Sequence, residues 1–114
     1  MYKNSIVLVP FPFDDFSGTK VRPAICLTSG IGVYGHIIIA FISSRINQPG
    51  EKFDIRIKKE DALFPGTGLR TDSVIKLHRM TTIPAHLIHR KLGEANKILT
   101  ERIDTNLLKL FELK

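Results

Sequence analysis

An arginine followed by a proline, Arg22-Pro23, is the part of this 114-residue sequence with the clearest chemical potential. The pair follows a polar, glycine-containing segment and opens an apolar run, and proline biases the residue before it towards an extended backbone. Arg22 is therefore expected at the mouth of a strand, with Lys20 close by. A planar guanidinium can bind two phosphate oxygens at once, so this arrangement suits a phosphate ligand. The alternative is a surface salt bridge from Arg22 to Asp14 or Asp15.

The remaining residue types that can carry catalysis form no recognisable metal or nucleotide motif. The four histidines are His36, His78, His86 and His89. Of these, only the last two have a spacing that could place them on one helical face, and no carboxylate or third histidine stands at ligand spacing. The one cysteine, Cys26, lies in an apolar run. Because the sequence also has no P-loop and no dinucleotide fingerprint, it predicts neither a metal nor a cofactor.

The charge balance favours a polyanionic partner. Seventeen Lys and Arg residues against eleven Asp and Glu residues give a net charge of +6. A small basic domain is a candidate for binding RNA, DNA or an acidic protein, although a solubilising surface charge explains the same number. A single cysteine cannot form an internal disulfide and fits a reducing compartment. With no signal peptide and no apolar stretch of ~20 residues, we expect a cytoplasmic protein without a membrane segment.

The elements that must position these residues are mainly β-strands. Short apolar segments separated by turn-forming residues predict strands over residues 5–9, 21–29, 36–44, 53–58, 73–83 and 90–93. The second and third of these are almost continuously apolar, which indicates strands covered on both faces, as in a small closed barrel. One helical turn is expected over residues 59–63.

The C-terminal segment changes from strand to helical periodicity. After Asn96, apolar residues recur at helical spacing with charged residues between them. Asn96 itself can cap the start of a helix. The sequence therefore predicts a single mainly β domain over residues 1–114, an SH3-like small barrel with one C-terminal amphipathic helix packed against it.

Four short motifs follow one another along the chain. The first, residues 10–24, is a strand end, a loop with Ser-Gly, and then Arg-Pro before an apolar strand. The second is residues 39–44, which ends in two serines, and the third is residues 68–77. The fourth is Thr82-Ile83 together with the leucine-rich terminal helix. In this order they resemble the MazF/PemK family of toxins, and the resemblance spans nearly the whole chain.

The resemblance implies a fold, an activity and partners. It implies an SH3-like barrel that forms a homodimer, cleaves single-stranded RNA without a metal, and is neutralised by an antitoxin protein. Without a metal, the expected route is attack by the ribose 2′-OH on the adjacent phosphate. An acidic antitoxin would complement the net charge of +6.

The resemblance also implies roles for individual residues. Arg22 would stabilise the phosphate, and Ser43, at the end of the third strand, would supply the catalytic hydroxyl. Ser44 takes that place if the register slips by one, because a slip turns the side chain to the opposite face. His78, directly after the third motif, is the candidate for proton transfer near neutral pH. The candidates for contacting RNA are Phe16, Lys20, Ser44, Arg45, Arg70 and Lys76.

Two departures from the family pattern leave alternatives open. Asn4-Ser5 stands where the family usually has Gly-Asp or Gly-Glu, and Lys76 and His78 stand where some members have arginine and aspartate. The general acid and base therefore stay unassigned. Two other functions also stay open: a non-catalytic SH3-like module that binds nucleic acid or peptide, and a toxin homologue without activity.

Overall fold

The computed structural model describes residues 2–10 and 20–113, and within them the chain is mainly β. The elements in chain order are β1 (Ser5–Pro10), β2 (Val21–Cys26), β3 (His36–Ser43), β4 (Ile55–Ile57), β5 (Ser73–Pro84), a turn of 3₁₀ helix (Ala85–Leu87), β6 (Arg90–Glu94) and α1 (Lys97–Leu110). The strands form one antiparallel sheet in the order β4-β5-β3-β2-β1-β6. The predicted β-rich fold with a C-terminal helix is confirmed.

Two predicted strands are shorter than their sequence pattern suggests. The second strand ends at Cys26. Beyond it the Leu27 N–H still donates to the Ile38 carbonyl at 2.8 Å, but the Ile38 N–H donates to the Thr28 hydroxyl at 3.2 Å, so a side chain takes the place of the next backbone acceptor. The fourth strand is shorter because Asp54 N–H donates to the Glu51 carbonyl in a turn before it, at 3.1 Å.

The helical turn predicted over residues 59–63 was wrong. This segment forms consecutive turns instead. The Asp61 carboxylate accepts the Lys58 N–H at 2.9 Å, and the Phe64 N–H donates to the Asp61 carbonyl at 3.1 Å. An aspartate side chain that binds the backbone in this way competes with helical hydrogen bonds.

Both faces of the sheet are covered, as the apolar runs predicted. Side chains alternate along a strand, so the neighbours Ile6 and Val7 of β1 enter different apolar clusters. One cluster is built from β1 to β5 and α1 and includes Ile6, Ile25, Ile42, Ile75, Leu77, Leu99 and Ile103. The other consists of Val7, Val9, Ala24, Cys26, Ile37 and Ile39, with partly buried side chains packed against them. Burial on two faces fixes which residues of each strand can point into the groove described below.

Helix α1 is capped and packed as predicted. The Asn96 side chain accepts the Leu99 N–H at 3.0 Å and donates to the carbonyls of Ala62 and Pro65, each at 3.0 Å. The cap therefore also ties the helix to the chain between β4 and β5. One turn apart, Leu99 and Ile103 are buried against the sheet. No helix within residues 2–10 and 20–113 has the length and apolarity that a membrane span requires.

The chain between β4 and β5 crosses to the opposite edge of the curled sheet and packs on β6. The Glu94 N–H donates to the Gly66 carbonyl at 2.8 Å. A Cβ on Gly93 would lie only 2.6 Å from the carbonyl carbon and oxygen of Thr67. Gly68, with a φ of +74°, is packed equally closely against the Leu92 backbone, with which an added Cβ would also collide. Backbone-to-backbone contact at this seam therefore requires glycine.

Replacing Gly93 with alanine should destabilise the fold, because backbone atoms on both sides of the seam must move. We expect a loss of about 3 kcal/mol in the free energy of unfolding, measured by urea denaturation. Gly30→Ala is the matched control, since a Cβ at Gly30 meets its nearest atom at an ordinary 3.6 Å. Equal stability of the two variants would contradict this account of the seam.

Candidate active site

An open groove of about 890 Å³ crosses one end of the sheet. Its walls come from β1, the start of β2, the end of β3 with the loop that follows, β4, the segment before β5, the first half of β5, and β6. The predicted site residues that line it are Arg22, Ser43, Ser44, Arg45, Arg70 and Lys76. Folding thus brings together most of the residues that were singled out from separate parts of the sequence.

The other predicted site residues are placed differently. Lys20 is exposed immediately before β2, and His78 is exposed on β5. Neither is among the described residues that line the groove. Phe16 lies outside the described residues.

The groove is strongly basic. The cations that line it are Arg22, Arg45, Arg56, Arg70, Lys76, Arg79 and Arg90. Asp54 is the single carboxylate among the described residues of its walls. A cleft lined mainly by one sign of charge concentrates oppositely charged ligands, so the groove suits a polyanion.

Three of these arginines were missed from the sequence. Arg56 lies on β4, Arg79 on β5 and Arg90 on β6. Only the order of strands in the sheet brings them to one groove; Arg90, for example, pairs with Leu8, which on its other side pairs with Pro23. No local spacing along the chain signals such an arrangement.

Arg22 occupies the position that the sequence predicted. It is the second residue of β2, paired opposite Val9 of β1, and its side chain is half-buried. Its Nη1 donates to the Val21 carbonyl at 3.5 Å. A guanidinium that is partly withdrawn from water attracts an anion more strongly than one in bulk solvent. Asp14 and Asp15, the alternative partners, lie outside the described residues.

Ser43 is the last residue of β3 and stands opposite Val74 of β5. It is half-buried, and its Oγ accepts the Arg45 N–H at 3.0 Å. Because a hydroxyl has one donor hydrogen and two acceptor lone pairs, this contact leaves the hydrogen for another acceptor. The preceding residue, Ile42, is buried in the core, and the following residue, Ser44, is exposed at the groove wall. Ser43 thus holds the more ordered of the two hydroxyls.

A bulge in β5 determines where its polar residues point. Ala40 of β3 pairs with Met80, whereas Ile42 pairs with Ile75, so residues 76–79 stand opposite a single residue of β3. Such bulges bend a strand and redirect its side chains. Lys76 lines the groove from this bulge, while Leu77 enters the core.

Lys76 and His78 lie on the same side of β5, as alternation predicted, and both meet the carboxylate of Glu51. The Lys76 Nζ is 2.8 Å from Glu51 Oε1 and 2.7 Å from Asp54 Oδ2. The His78 Nε2 is 3.4 Å from Glu51 Oε1. Lys76 is therefore paired with two carboxylates, and His78 stands at the outer side of Glu51.

The sequence spacing gave no hint of this cluster. Glu51, Asp54 and His78 each offer a potential metal-ligand atom, and these atoms lie within 4.8 Å of one another. They come from the loop before β4 and from β5, which are separated in sequence but adjacent in the sheet. The Lys76 ammonium contacts both carboxylates and compensates one of their two negative charges.

The pairing changes the proton affinities of its members. Partial burial alone would lower the pKa of Lys76, but hydrogen bonds with Asp54 and Glu51, and their negative charges, outweigh it and raise that pKa. The hydrogen bond from Lys76 lowers the pKa of Glu51 below its ordinary 4.5. Both shifts favour the charged forms, so the ion pairs persist across neutral pH.

The departure at Asn4-Ser5 has a structural explanation. Asn4 has a φ of +73°, in the left-handed region that favours glycine and that asparagine tolerates better than most residues. Its N–H donates to the Cys26 carbonyl at 2.8 Å, and its carbonyl accepts the Ala95 N–H at 2.9 Å. Asparagine therefore supports the backbone that a glycine would adopt before β1.

Acid should remove the contribution of Glu51 to stability. Since its pKa is lower in the folded chain than in the unfolded one, the contribution is present above pH 4.5 and is lost as the pH falls through the folded value. The unfolding free energies of the wild type and Glu51→Gln should differ slightly at neutral pH, because Glu51 is exposed, and converge in acid. Urea denaturation at neutral pH and in acid measures the two free energies of unfolding. A difference between the wild type and Glu51→Gln that persists in acid would contradict this expectation.

Solved toxin structures share this fold. The toxin MazF-mt6 of Mycobacterium tuberculosis superposes with a TM-score of 0.71 at 18% identity, over 96% of this chain and 98% of that one. A MazE-MazF structure from Deinococcus radiodurans gives a TM-score of 0.71 at 18% identity, over 98% and 96% of the two chains. A mycobacterial endoribonuclease in complex with its cognate antitoxin gives 0.68 at 11% identity, over 100% and 97%.

The sequence itself identifies the family. No curated protein matches the chain significantly by sequence. A family model, described as PemK-like, MazF-like toxin of type II toxin-antitoxin system, matches residues 2–111. This match covers nearly the whole chain, including every strand and helix described above. The chain therefore belongs to the PemK-like, MazF-like toxin family of type II toxin–antitoxin systems.

Proposed function

We propose that this chain is an endoribonuclease toxin that cleaves single-stranded RNA, principally mRNA, in the cytoplasm, and that the basic groove is its active site. The observation that carries the proposal is the groove itself, where the half-buried Arg22 and the Ser43 hydroxyl share walls with five further arginines and one carboxylate. Membership of the toxin family supports it. So does the fold shared with a protein named as an endoribonuclease.

The proposed reaction uses the nucleophile that RNA carries. The ribose 2′-oxygen attacks the adjacent phosphorus, a new O2′–P bond forms, and the P–O5′ bond breaks. The proton lost from the 2′-OH and the proton gained by the 5′ oxygen balance, and the products are a 2′,3′-cyclic phosphate and a 5′-OH. This route needs no metal-bound water as nucleophile.

Arg22 and Ser43 have complementary tasks in this reaction. The guanidinium binds two oxygens of the phosphate and stabilises the charge that grows on them in the transition state. Guanidinium groups keep their protons at neutral pH, so an arginine is unsuited to the role of general base. The Ser43 hydroxyl, whose oxygen is fixed by the Arg45 N–H, donates its hydrogen to the same phosphate.

The reaction also needs groups that remove the 2′ proton and protonate the 5′ oxygen. His78 remains a candidate, although it meets Glu51 at the outer side of the ion cluster rather than the groove wall. A pH–rate profile of His78→Gln tests this role. A profile identical to that of the wild type would exclude His78 from proton transfer. Phe16 and Lys20 remain predicted RNA contacts.

Partners form the second part of the proposal. Solved structures that share the fold are complexes with an antitoxin. We propose that this chain likewise forms a homodimer and is neutralised by a cognate antitoxin, whose acidic segment would complement the net charge of +6. Light scattering of the purified chain tests the dimer, and a monomer at micromolar concentration would contradict it.

Arg22→Ala should reduce cleavage of a labelled single-stranded RNA by about 100-fold or more, and Ser43→Ala by about 10- to 100-fold, because each removes a donor to the transition-state charge. Single-turnover rates in the presence of EDTA provide the measurement. The matched control is Arg102→Ala, which removes the same charge from the exposed face of α1 and should cleave like the wild type.

Three outcomes would contradict parts of this proposal. Wild-type activity in Arg22→Ala would show that the site is wrongly assigned. Binding without cleavage by the wild type would indicate a non-catalytic nucleic-acid-binding module. Cleavage that EDTA abolishes would exclude the metal-independent route.

A further inference from the structure

We propose that Lys76 is a positioning residue, which fixes the groove loop, residues 44–54, by holding Glu51 and Asp54, and which does not itself bind RNA phosphates. The inference rests on the proposed function of the groove and deepens it. On this proposal, some groove cations contact the RNA and others fix the shape of the site. The groove loop is then the part of the wall that selects bases.

The groove loop has few internal contacts of its own. At its start the Arg45 and Ile46 N–H groups donate to Ser43 Oγ and the Ser44 carbonyl, both at 3.0 Å. At its end the Glu51 N–H donates to Asp54 Oδ2 at 2.8 Å. These bonds are local turns, so anchoring to the sheet must come from side chains outside the loop.

Apart from Asn106 of α1, whose Nδ2 donates to the Phe53 carbonyl at 3.5 Å, two cations of neighbouring strands provide that anchoring. Arg56 of β4 donates to the Ile46 carbonyl at 2.7 Å and to the Gln48 carbonyl at 3.3 Å. Lys76 of β5 holds the two carboxylates at the end of the loop, at 2.7 and 2.8 Å. The first half of the loop is therefore tied to β4 and the second half to β5.

The charge of the ion cluster argues against Lys76 as a phosphate ligand. One ammonium faces two carboxylates, so the group carries a net negative charge at neutral pH. A phosphate that approaches Lys76 meets repulsion from Glu51 and Asp54 at nearly the same distance as attraction from the ammonium. Two of the three ammonium hydrogens are also already engaged.

The loop would lose more than one contact without Lys76. The Asp54 side chain is only 5% exposed, and its Oδ1 is buried without a hydrogen-bond partner among the described residues. Lys76 supplies the charge that compensates this buried carboxylate. Removing it would leave an uncompensated buried charge, which favours movement of Asp54 towards solvent with its loop.

Four other groove cations differ from Lys76 in their exposure and in their ionic contacts. Arg45, Arg70, Arg79 and Arg90 are exposed, and none forms an ion pair with a carboxylate within residues 2–10 and 20–113. Their guanidinium groups can meet phosphates at full charge. They are the side chains expected to set the salt dependence of RNA binding.

The groove loop presents groups that can select bases. Its groove-facing residues include Gln48, an exposed amide that both donates and accepts hydrogen bonds, and Gly50, which exposes backbone. Unstacked bases of single-stranded RNA are recognised by hydrogen bonds on their edges. A loop that is held rigidly will therefore favour particular bases, and a loosened loop will discriminate less.

The test compares Lys76→Met with Lys76→Arg, and uses Lys97→Met on the exposed start of α1 as the control for net charge. Hydrogen exchange of the RNA-free protein reports on peptides that cover residues 44–54. The affinity for a non-cleavable 2′-deoxy oligonucleotide at several salt concentrations reports the number of phosphate contacts. Mapping the cuts in one long RNA reports base selection.

We expect Lys76→Met to speed exchange in the groove loop by at least about tenfold and to broaden the set of cut sites, while the salt slope stays unchanged. Lys76→Arg restores the loop because it keeps the charge, and Lys97→Met behaves as the wild type. For comparison, Arg70→Met should reduce the salt slope by about 0.7, the value expected for one phosphate contact to a single strand.

Two results would overturn the proposal: unchanged loop exchange in Lys76→Met, or a salt slope reduced as in Arg70→Met. If Lys76→Met does not fold, Glu51→Gln is used in its place. Glu51 is exposed, and its replacement removes one of the two carboxylates that Lys76 holds. Faster loop exchange in Glu51→Gln than in the wild type supports positioning, and unchanged loop exchange overturns it. The exchange comparison needs no RNA, so it stands even if the groove proves not to bind RNA.

Discussion

The register of β2, β3 and β5 is the constraint on which the site depends. Apolar side chains cover both faces of the sheet, so a shift of β3 by one residue would carry Ile42 out of the core and Ser43 into it. The same register sets Ala24 opposite Phe41 and Ser43 opposite Val74. The core therefore holds the Ser43 hydroxyl at the groove wall.

Concentrating cations at one end of a small sheet has an electrostatic cost, which the chain offsets by engaging two of them with the groove loop. Arg56 and Lys76 are engaged with carbonyls and carboxylates of the groove loop, so they shape the wall and contribute less to the field. The exposed arginines remain for the ligand. The same basic groove can thus attract a polyanion and keep a defined shape.

Local sequence patterns predicted the elements well and the tertiary contacts poorly. Apolar runs and alternation located the strands, and Asn96 located the start of α1, because burial and capping depend on neighbours in sequence. The predicted helical turn after β4 failed because the Asp61 side chain binds the backbone there. Arg79 and Arg90 were missed since they reach the groove only through the strand order and the β5 bulge.

For the candidate site, too, local patterns predicted some residues and missed those that only tertiary contacts bring together. Arg22 could be recognised because Pro23 and the preceding loop mark its position in the sequence, whereas the cluster of Lys76, Glu51 and Asp54 joins a loop to a strand that lies beyond β4. No spacing rule connects these residues. The family resemblance supplied the position of Ser43, and the register of the sheet gives the physical reason why that serine, rather than Ser44, ends the strand.

One digestion tests the central claim most directly. A long single-stranded RNA and a copy with one 2′-deoxy substitution at a mapped cut site are incubated with the purified protein in EDTA, and the new ends are sequenced and their chemistry is determined. The account predicts discrete cuts that leave 2′,3′-cyclic phosphate and 5′-OH ends, with the cut lost at the substituted position alone. Intact RNA, or cleavage that continues at the 2′-deoxy position, would contradict it.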